Sequence, residues 1–358
     1  MPTYRDFNVE LDNSLESSDI VTNVKDTVSS GMWENGSGTL TSFFTSSTQS
    51  GSSAAYYLDV YGTNPQSDST AKAQFSVAYG HVNGSGSAGA LGIDGNRASA
   101  TIYRQLVNTL LGPNEDKFVF ANSGGSTPEP DYVYAISIAR EQLREKMDPG
   151  NWELHLSGSG IPGQYGLTKL IDDSDATTNP TINQGGRVFN VVSGSIAGGS
   201  ASTYEPAASQ PGGGLGLFYP DTGLIILNGP AINATASLST GVASNTEGGN
   251  VGKFYEAIRG EDKFQARREE VITSQHYFCR VPNRQFNFSS NPTFTSGSEG
   301  DFTVSTFEKN PKTFITQVGL YNNNNELLAV AKLSKPLLKS YSREALIKVK
   351  LDFYAWEI

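Results

Sequence analysis

The chain has 358 residues, which is enough for two or three domains with cores of ordinary size. It carries 26 Lys and Arg against 36 Asp and Glu, and the resulting net charge of −10 disfavours a free-standing nucleic-acid-binding protein, because that class normally has a basic surplus. The single cysteine, Cys279, excludes an internal disulfide and a cysteine-based zinc cluster, and no apolar run approaches the roughly 18 residues of a membrane-spanning helix.

The N-terminal region predicts extended structure. Residues 1–30 are polar with little periodicity, and they predict either an ordinary pair of strands or an extended arm that lies on a neighbouring subunit. Residues 33–62 predict short strands separated by Gly/Ser turns, and the β-branched and aromatic segments 54–61 and 73–79 predict strands. High glycine content with only 17 % charged residues fits this turn-rich β pattern.

The first helix is predicted over residues 98–111. Ile102, Leu106 and Leu110 recur every four residues and form one apolar stripe of helical period. Gly112 and Pro113 follow directly, and these two residue types end helices.

The middle of the chain predicts a series of short strands. Buried or half-buried strands are expected at 117–121, 132–138, 151–156, 166–171 and 187–192. In the third of these, Trp152, Leu154 and Leu156 alternate with Glu153 and His155, which predicts a strand with one polar face. Residues 140–146 predict either a charged helical turn or a solvent-facing strand end, and 216–228 predict a hairpin around Pro-Asp-Thr-Gly.

The C-terminal third predicts a helix followed by strands. Residues 251–259 predict an amphipathic helix, and the charged segment 262–271 predicts its helical continuation. Residues 313–321 and 326–333 predict two strands joined by four asparagines, with Pro336 ending the second. Residues 345–358 alternate strictly, with Ile347, Val349, Leu351 and Phe353 inward and Lys348, Lys350 and Asp352 outward.

These elements predict a mainly β fold with a few helices, of the α+β class, built from antiparallel sheets. The last three strands predict a C-terminal β-meander or sandwich module, whose apolar face must be covered by a partner layer. The predicted domains are an N-terminal arm, 1–30, an α+β body, 31–260, and a β docking module, 261–358.

No motif predicts a cofactor or metal site. Two G-x-G-x-x-G strings occur, at Gly84, Gly86 and Gly89 and at Gly158, Gly160 and Gly163, but neither has the strand, helix and distal acid of a nucleotide site, so turns are expected. Asp172, Asp173 and Asp175 lack the spacing of a calcium loop and predict a solvated acidic turn.

Catalytic groups are equally sparse. Glu269 and Glu270 follow Arg267 and Arg268, a pattern typical of a salt-bridged helix face. His276 and Cys279 are three residues apart but have no third partner, which favours packing over nucleophilic catalysis. The sequence therefore predicts an interaction protein without catalytic residues or cofactors.

Two regions carry a family resemblance. Residues 313–339, TFITQVGLYNNNNELLAVAKLSKPLLK, with 344–353, EALIKVKLDF, resemble a module of tail-fibre and baseplate proteins of tailed phages. The middle segments NWELHLSG, LIDDSD, GRVFNVVSG and GLFYPDTGLIILN resemble virion structural proteins of large contractile-tailed phages, such as those that infect marine cyanobacteria. Together they cover about half the chain.

The resemblance implies a structural protein of a contractile-tailed phage particle, made in the host cytoplasm and located in the tail baseplate, where it links wedge or fibre proteins. Its expected partners are other tail, baseplate or fibre proteins and further copies of itself, with no nucleic acid and no membrane. Neck, head-decoration and tail-completion roles are alternatives within the virion. Four cations are candidates for contact with an acidic partner surface: Arg267, Arg268, Lys348 and Lys350.

Two alternatives belong to other classes. A receptor- or glycan-binding protein needs exposed aromatic side chains, for which Trp33, Tyr56 and Tyr57 are the candidates, although a core role is favoured for them. A hydrolase acting on a cell-surface polymer needs a pair of carboxyl groups, for which Glu153, Asp172 and Asp173 are the candidates.

Overall fold

A computed structural model describes residues 20–46, 57–87, 97–120, 129–157, 168–175, 180–197, 199–200, 214–236, 238, 249–260, 263–289 and 291–354. Its strands are β1 (Ile20–Gly31), β2 (Thr39–Leu40), β3 (Phe44–Thr45), β4 (Tyr57–Tyr61), β5 (Ala73–His81), β6 (Tyr132–Ile138), β7 (Lys146–Leu156), β8 (Thr168–Asp172), β9 (Thr181–Asn183), β10 (Gly186–Ser195), β11 (Gly199–Ser200), β12 (Gly216–Tyr219), β13 (Leu224–Asn228), β14 (Phe264–Val281), β15 (Thr295–Ser296), β16 (Asp301–Phe302), β17 (Thr313–Tyr321), β18 (Leu327–Lys339) and β19 (Ala345–Tyr354). Its α-helices are α1 (Ala98–Leu110), α2 (Arg140–Leu143), α3 (Gly229–Thr235) and α4 (Gly249–Arg259), and short 3-10 turns lie at Glu34–Gly36 and Ser305–Glu308.

The prediction of a mainly β fold with antiparallel sheets and a few helices is confirmed. The chain divides into two compact units. The larger unit is Val28–Glu270, and the smaller unit combines the chain up to Thr27 with Val271–Ile358. Of the predicted arm, 1–30, only the part within β1 is described, and the rest lies outside the described residues.

The sheet of the larger unit has one continuous order of antiparallel neighbours. It runs from β14 through β7, β8, β10, β12, β13, β6, β5 and β4 to β3. β2 pairs with β14 while β3 pairs with β4, and only three residues separate β2 from β3. The path ends at β3, and the short segment 41–43 connects β3 along the chain to β2, which pairs with β14.

Apolar side chains cover both faces of this sheet. On β6, Tyr134 and Ile136 belong to the core that contains the buried residues of α3 and α4. Val133 and Ala135 point the other way and belong to the core that contains Tyr103 and other residues of α1. Since successive strand residues face opposite sides, the sheet lies between α1 on one face and α3 with α4 on the other.

The smaller unit is a two-layer β-sandwich. Residues 272–281 of β14 pair with β19, and β17 pairs with β18 in a separate two-stranded sheet. Val281, Ile347 and Val349 form the core between them, with Val318, Leu320 and other side chains of β17 and β18 packed against it. The expected meander is therefore wrong in its pairing, because β19 joins β14 and not β18. The apolar face of the hairpin is covered by a second layer, as the sandwich alternative required.

The segment 262–271 is not the predicted helix. Phe264 and Ala266 are fully buried and alternate with less buried residues, the period of a strand and not of a helix. This half of β14 pairs with β7, where Glu269 lies opposite Lys146 and their side chains are 2.8 Å apart. The pairing of this half of β14 with β7 changes register at a bulge between Ala266 and Arg268.

Three further expectations at the level of single elements are corrected. Residues 117–120 of the predicted strand 117–121 form no strand, although Phe118 is buried and its backbone N–H donates to Tyr103 Oη at 3.2 Å. Pro336 does not end β18, because it lies in the register irregularity between Leu337 and Lys332, where no regular ladder bond is required. Phe353, expected to point inward, is 47 % exposed.

Candidate interaction surface

Exposed apolar side chains are concentrated in the smaller unit. Of the seventeen large hydrophobic residues that are exposed in the described part of the chain, twelve belong to Val271–Ile358 and five to Val28–Glu270. Scattered single hydrophobic residues on a surface need no explanation, but a contiguous cluster marks an interaction site.

The densest cluster lies on the hairpin β17–β18. Residues 328–333 of β18 alternate between exposed and half-buried, so one face of the hairpin packs on the sandwich core and the other faces outward. The outward face carries Tyr321, Leu327, Leu328 and Val330, which are 43 %, 53 %, 66 % and 55 % exposed. We call these four residues the outer patch.

A bulge explains why two consecutive leucines share the outer patch. Leu320 pairs with Ala329 but Tyr321 pairs with Leu327, so Leu328 is an extra residue in β18. Gly319 adds a second local feature, since a Cβ placed there would lie 2.9 Å from Tyr321 and 3.4 Å from Leu327. The absence of a side chain at Gly319 therefore lets Tyr321 and Leu327 pack together over the backbone.

The turn of four asparagines fixes the end of the hairpin. Asn322 Oδ1 accepts from the backbone N–H groups of Asn324 and Glu326, at 3.0 and 2.8 Å. Asn325 adopts a positive φ of 60°, which Asn tolerates better than most residues. Glu326 closes the turn, because its carbonyl accepts from Asn322 N and its Oε2 accepts from Asn322 Nδ2.

The four predicted interaction cations fall in different units. Arg267 and Arg268 belong to the larger unit, and Lys348 and Lys350 to the smaller one. Arg267 is exposed beside Gly38, whereas Arg268 is largely buried and donates to Glu270 Oε1 at 2.8 Å. Their role in binding a partner stays a prediction.

Lys348 and Lys350 point outward from β19, as the alternation predicted. Lys348 Nζ lies 5.8 Å from the centre of the Phe278 ring, a cation–π contact across the strand pair. Lys350 is bonded to Asp352 at 3.1 Å and lies 3.6 Å from Asp26, and the bond to Asp352 and these two negative charges raise its pKa.

Glu153 does not lie on the polar face that its strand pattern predicted. It is 3 % exposed and His155 is 7 % exposed, because their polar groups satisfy one another. Glu153 Oε1 accepts from Lys263 Nζ at 2.7 Å and contacts His155 Nε2 at 2.5 Å, and Oε2 accepts from Ile196 N at 2.9 Å. Burial alone would raise the pKa of Glu153, but these bonds outweigh it and lower the pKa to about 2.

Asp172 and Asp173 are buried and bind backbone groups, which corrects the expected solvated acidic turn at these two positions, whereas Asp175 is exposed. Asp172 accepts from the N–H groups of Gly150 and Ser174, at 2.8 and 2.9 Å, while burial raises its pKa. Asp173 accepts from the backbone and the side-chain amide of Asn190, at 2.9 and 2.8 Å. Their observed partners are the groups that hold β8 and its neighbours in place.

The remaining sequence candidates are not brought together. His276 and Cys279 lie on β14 with an odd spacing, so their side chains point to opposite faces. His276 Nε2 is buried without a hydrogen-bond partner among the described residues. Across the described ranges, no group of three His, Cys, Asp or Glu is arranged to hold a metal ion.

The aromatic candidates for glycan binding differ in their exposure and do not form one described cluster. Trp33 is 1 % exposed and donates its Nε1–H to Phe264 O at 2.9 Å, so it belongs to the core. Tyr57 is 42 % exposed, and Tyr56 lies outside the described residues.

Gly84 and Gly86 occupy turns with positive φ, as expected, while the other glycines of the two G-x-G-x-x-G strings lie outside the described residues.

Sequence reasoning missed the outer patch. The signal was present in Leu327–Lys339, because Leu-Leu-Ala-Val-Ala places apolar residues on both faces of a strand, and such strands need a cover on both sides.

No family model matches the chain, and no curated protein or solved structure is significantly similar to it. None of the described helices is long and apolar enough to cross a bilayer.

Proposed function

We propose that the chain is a structural subunit of a contractile-tailed bacteriophage particle, located in the tail baseplate, where it links wedge or fibre proteins through contacts between subunits. Its partners in this proposal are other tail, baseplate or fibre proteins and further copies of the chain. Neck, head-decoration and tail-completion positions in the same particle are the alternatives.

The concentration of exposed apolar side chains in the smaller unit carries this proposal. The outer patch exposes four large side chains on one face of a hairpin, and subunits of assemblies bury such faces against their neighbours. The same hairpin, 313–339, is the segment that resembles the phage tail-fibre and baseplate module. Surface chemistry and resemblance thus point to the same part of the chain.

The hydrogen bonds of the carboxyl groups favour this proposal over a hydrolase. Glu153, Asp172 and Asp173 are each buried and bonded to groups of the chain itself. A glycosidase instead needs two carboxyl groups that face a shared substrate cleft.

The proposal is tested in the phage that encodes the chain. A copy of the chain that carries a C-terminal tag is expressed in the host cell during infection. Intact particles are then imaged by electron microscopy with a label bound to the tag. We expect the label at the baseplate end of the tail. A label at the neck or head would contradict the baseplate position and favour one of the alternative positions in the particle. Unlabelled particles would overturn the proposal.

A parallel assay addresses the hydrolase. The purified chain is incubated with peptidoglycan and with cell-surface polysaccharide, and released reducing ends are measured. We expect no turnover above that of a Glu153→Gln, Asp172→Asn double variant. Turnover that this variant lacks would contradict a purely structural role.

A further inference from the structure

We propose that the outer patch binds the same patch of a second copy of this chain, about a two-fold axis between Leu328 and Val330. The inference rests on the proposed function in that it names one partner of a multi-copy subunit. It concerns the face of the hairpin β17–β18 and not its edges.

The apolar part of the contact comes from the outer patch. Its four side chains are about half exposed, and together they present on the order of 400 Å² of apolar surface, the size of patch that is often functional on a monomer. Each partner of a standard interface buries about 800 Å², so the patch supplies roughly half of that area as an apolar centre. The surrounding polar residues supply the rim.

The charges at the ends of the patch decide in favour of a second copy. Glu326 and Lys332 stand three residues on either side of Ala329, and both are exposed. A two-fold axis that lies in the plane of the face and perpendicular to the strands exchanges the two ends, so Glu326 of each copy meets Lys332 of the other at about 10 Å from the axis. In an isologous interface each contact occurs twice, so this arrangement forms two Glu326–Lys332 pairs of opposite charge.

Both charges have free capacity for the contact. No ion pair involves either of them within the described residues. The carboxylate of Glu326 accepts from the neutral amide of Asn322, and a carboxylate has further lone pairs available. Lys332 lies opposite Gln317, a neutral residue, on the same outward face.

The edge of β18 is less suited to pairing than its face. The extra residue Leu328 interrupts the regular ladder, and Pro336 lacks a backbone donor. Bulges and prolines are devices that prevent edge-to-edge association. The bulge instead places Leu327 and Leu328 together on the outward face, where they enlarge the patch.

The test is charge reversal measured on the purified full chain by sedimentation velocity, at concentrations up to about 100 μM, which covers weak complexes. We expect a dimer whose dissociation constant rises at least about tenfold in Glu326→Lys and in Lys332→Glu, since each variant creates two like-charge contacts across the axis. The double variant Glu326→Lys, Lys332→Glu restores opposite charges and should restore dimerisation.

Two further variants are the controls. Lys335→Glu reverses an exposed charge on the same strand that has no charged counterpart across the axis, and it should leave the dissociation constant unchanged. Leu328→Ser removes the most exposed apolar side chain of the patch and should weaken the dimer about tenfold. Thermal unfolding of each variant confirms that the subunit remains folded.

A wild-type chain that stays monomeric would overturn the inference, as would single reversals without effect or a double variant that fails to recover. The readout does not involve the particle. If the chain is monomeric but is found in the baseplate, only the pairing through the outer patch is lost. If it dimerises as described but is missing from the particle, the pairing stands and the proposed function falls.

Discussion

Buried ionisable residues in this chain are held by many hydrogen bonds from nearby groups. Glu153 contacts His155 of β7 and accepts from Lys263 and from Ile196, which follows β10. Lys339 is surrounded by acceptors from residues 283–287 and Ser340. A buried charge without such partners would cost several kcal/mol, so the partners are a condition for the local fold. Both sites therefore lend themselves to substitution experiments on stability.

We expect Glu153→Gln to lower the free energy of unfolding by about 3 kcal/mol, because it leaves Lys263 without its buried counter-charge and His155 Nε2 without the carboxylate that it contacts. The pKa of Glu153 falls from its ordinary 4.5 to about 2 in the folded chain. Its stabilisation is therefore present above pH 4.5 and is lost as the pH falls from 4.5 to about 2. Urea unfolding followed by tryptophan fluorescence across this range should give a shallower pH dependence in the variant.

Glu256→Gln is the matched control for Glu153→Gln. Glu256 pairs with Arg259 at 2.6 Å, but both side chains are about half exposed, and exposed pairs contribute at most about 1 kcal/mol. An equal loss of stability in the two variants would show that the burial of Glu153 is not what makes its contacts strong.

Lys339 offers a second test at the residue scale. Its ammonium is buried and donates to Asn283 O, Asn287 Oδ1 and Ser340 O at 2.9 to 3.1 Å, while burial lowers its pKa. Lys339→Met keeps the aliphatic stem but removes the ammonium donor from Asn287 Oδ1, whereas Asn283 O and Ser340 O keep their bonds from Asn287 Nδ2 and Arg343 N. We expect it to lower the unfolding free energy by about 2 kcal/mol. Lys335→Met, on the exposed part of the same strand, should change it by less than about 0.5 kcal/mol in the same calorimetric experiment.

At the scale of elements, the sequence predicted those parts whose period is decided locally. Helices α1 and α4, the hairpin β12–β13 and the turn at 322–325 were predicted from apolar spacing and turn residues, and they are confirmed. The charged half of β14 was predicted as a helix, because its local composition is helical in character. Its strand form depends on pairing with β7, which is more than a hundred residues away in sequence.

For the residues of the candidate interaction surface and the buried carboxyl groups, too, the features decided by local sequence were predicted and those that depend on distant segments were not. Lys348 and Lys350 were predicted to face outward, because strict alternation decides it locally, and they do. The burial of Glu153 was not predicted, since its partners Lys263 and Ile196 come from distant segments. The outer patch was missed because the alternation of β18 is broken by its bulge, so the two faces of the strand are less distinct in sequence than in the fold.

The turn of the hairpin β17–β18 allows a test at this scale. Asn325 has a positive φ of 60°, which strongly disfavours β-branched residues. We expect Asn325→Val to lower the unfolding free energy by about 1–2 kcal/mol and Asn325→Gly to leave it nearly unchanged. Asn323→Val is the control, because Asn323 is equally exposed but has an ordinary φ. A loss of the same size at both positions would contradict the role assigned to Asn325.

At the scale of the whole molecule, the charge is unevenly distributed. Residues 28–270 contain 14 Lys and Arg against 23 Asp and Glu, whereas residues 271–358 contain ten against seven. The smaller unit also includes residues 1–27, with two Lys and Arg against six Asp and Glu, so it is close to neutral and the basic excess is confined to residues 271–358. Complementary charge steers association and sets specificity, so an acidic surface on a neighbouring subunit is the expected partner of the cations on β19.

The charge-reversed double variant Lys348→Glu, Lys350→Glu tests this expectation in particles. Lys350 contacts Asp26 and Asp352 with all three side chains nearly half exposed, and exposed ion pairs contribute little to stability, so we expect the double variant to remain folded in thermal unfolding. Incorporation into particles, measured by quantitative mass spectrometry against a major tail protein, should fall at least about fivefold, because attraction to the acidic partner becomes repulsion.

The matched control for incorporation is Lys335→Glu, which reverses one exposed charge on a different strand and should leave incorporation unchanged. Raising the salt concentration during assembly should weaken incorporation of the wild-type chain more than that of the double variant, since salt screens exposed charges over about 10 Å. Normal incorporation of a folded double variant would mean that β19 does not meet an acidic surface. The basic excess of residues 271–358 would then serve solubility alone, and the apolar outer patch would have to provide the contact between subunits.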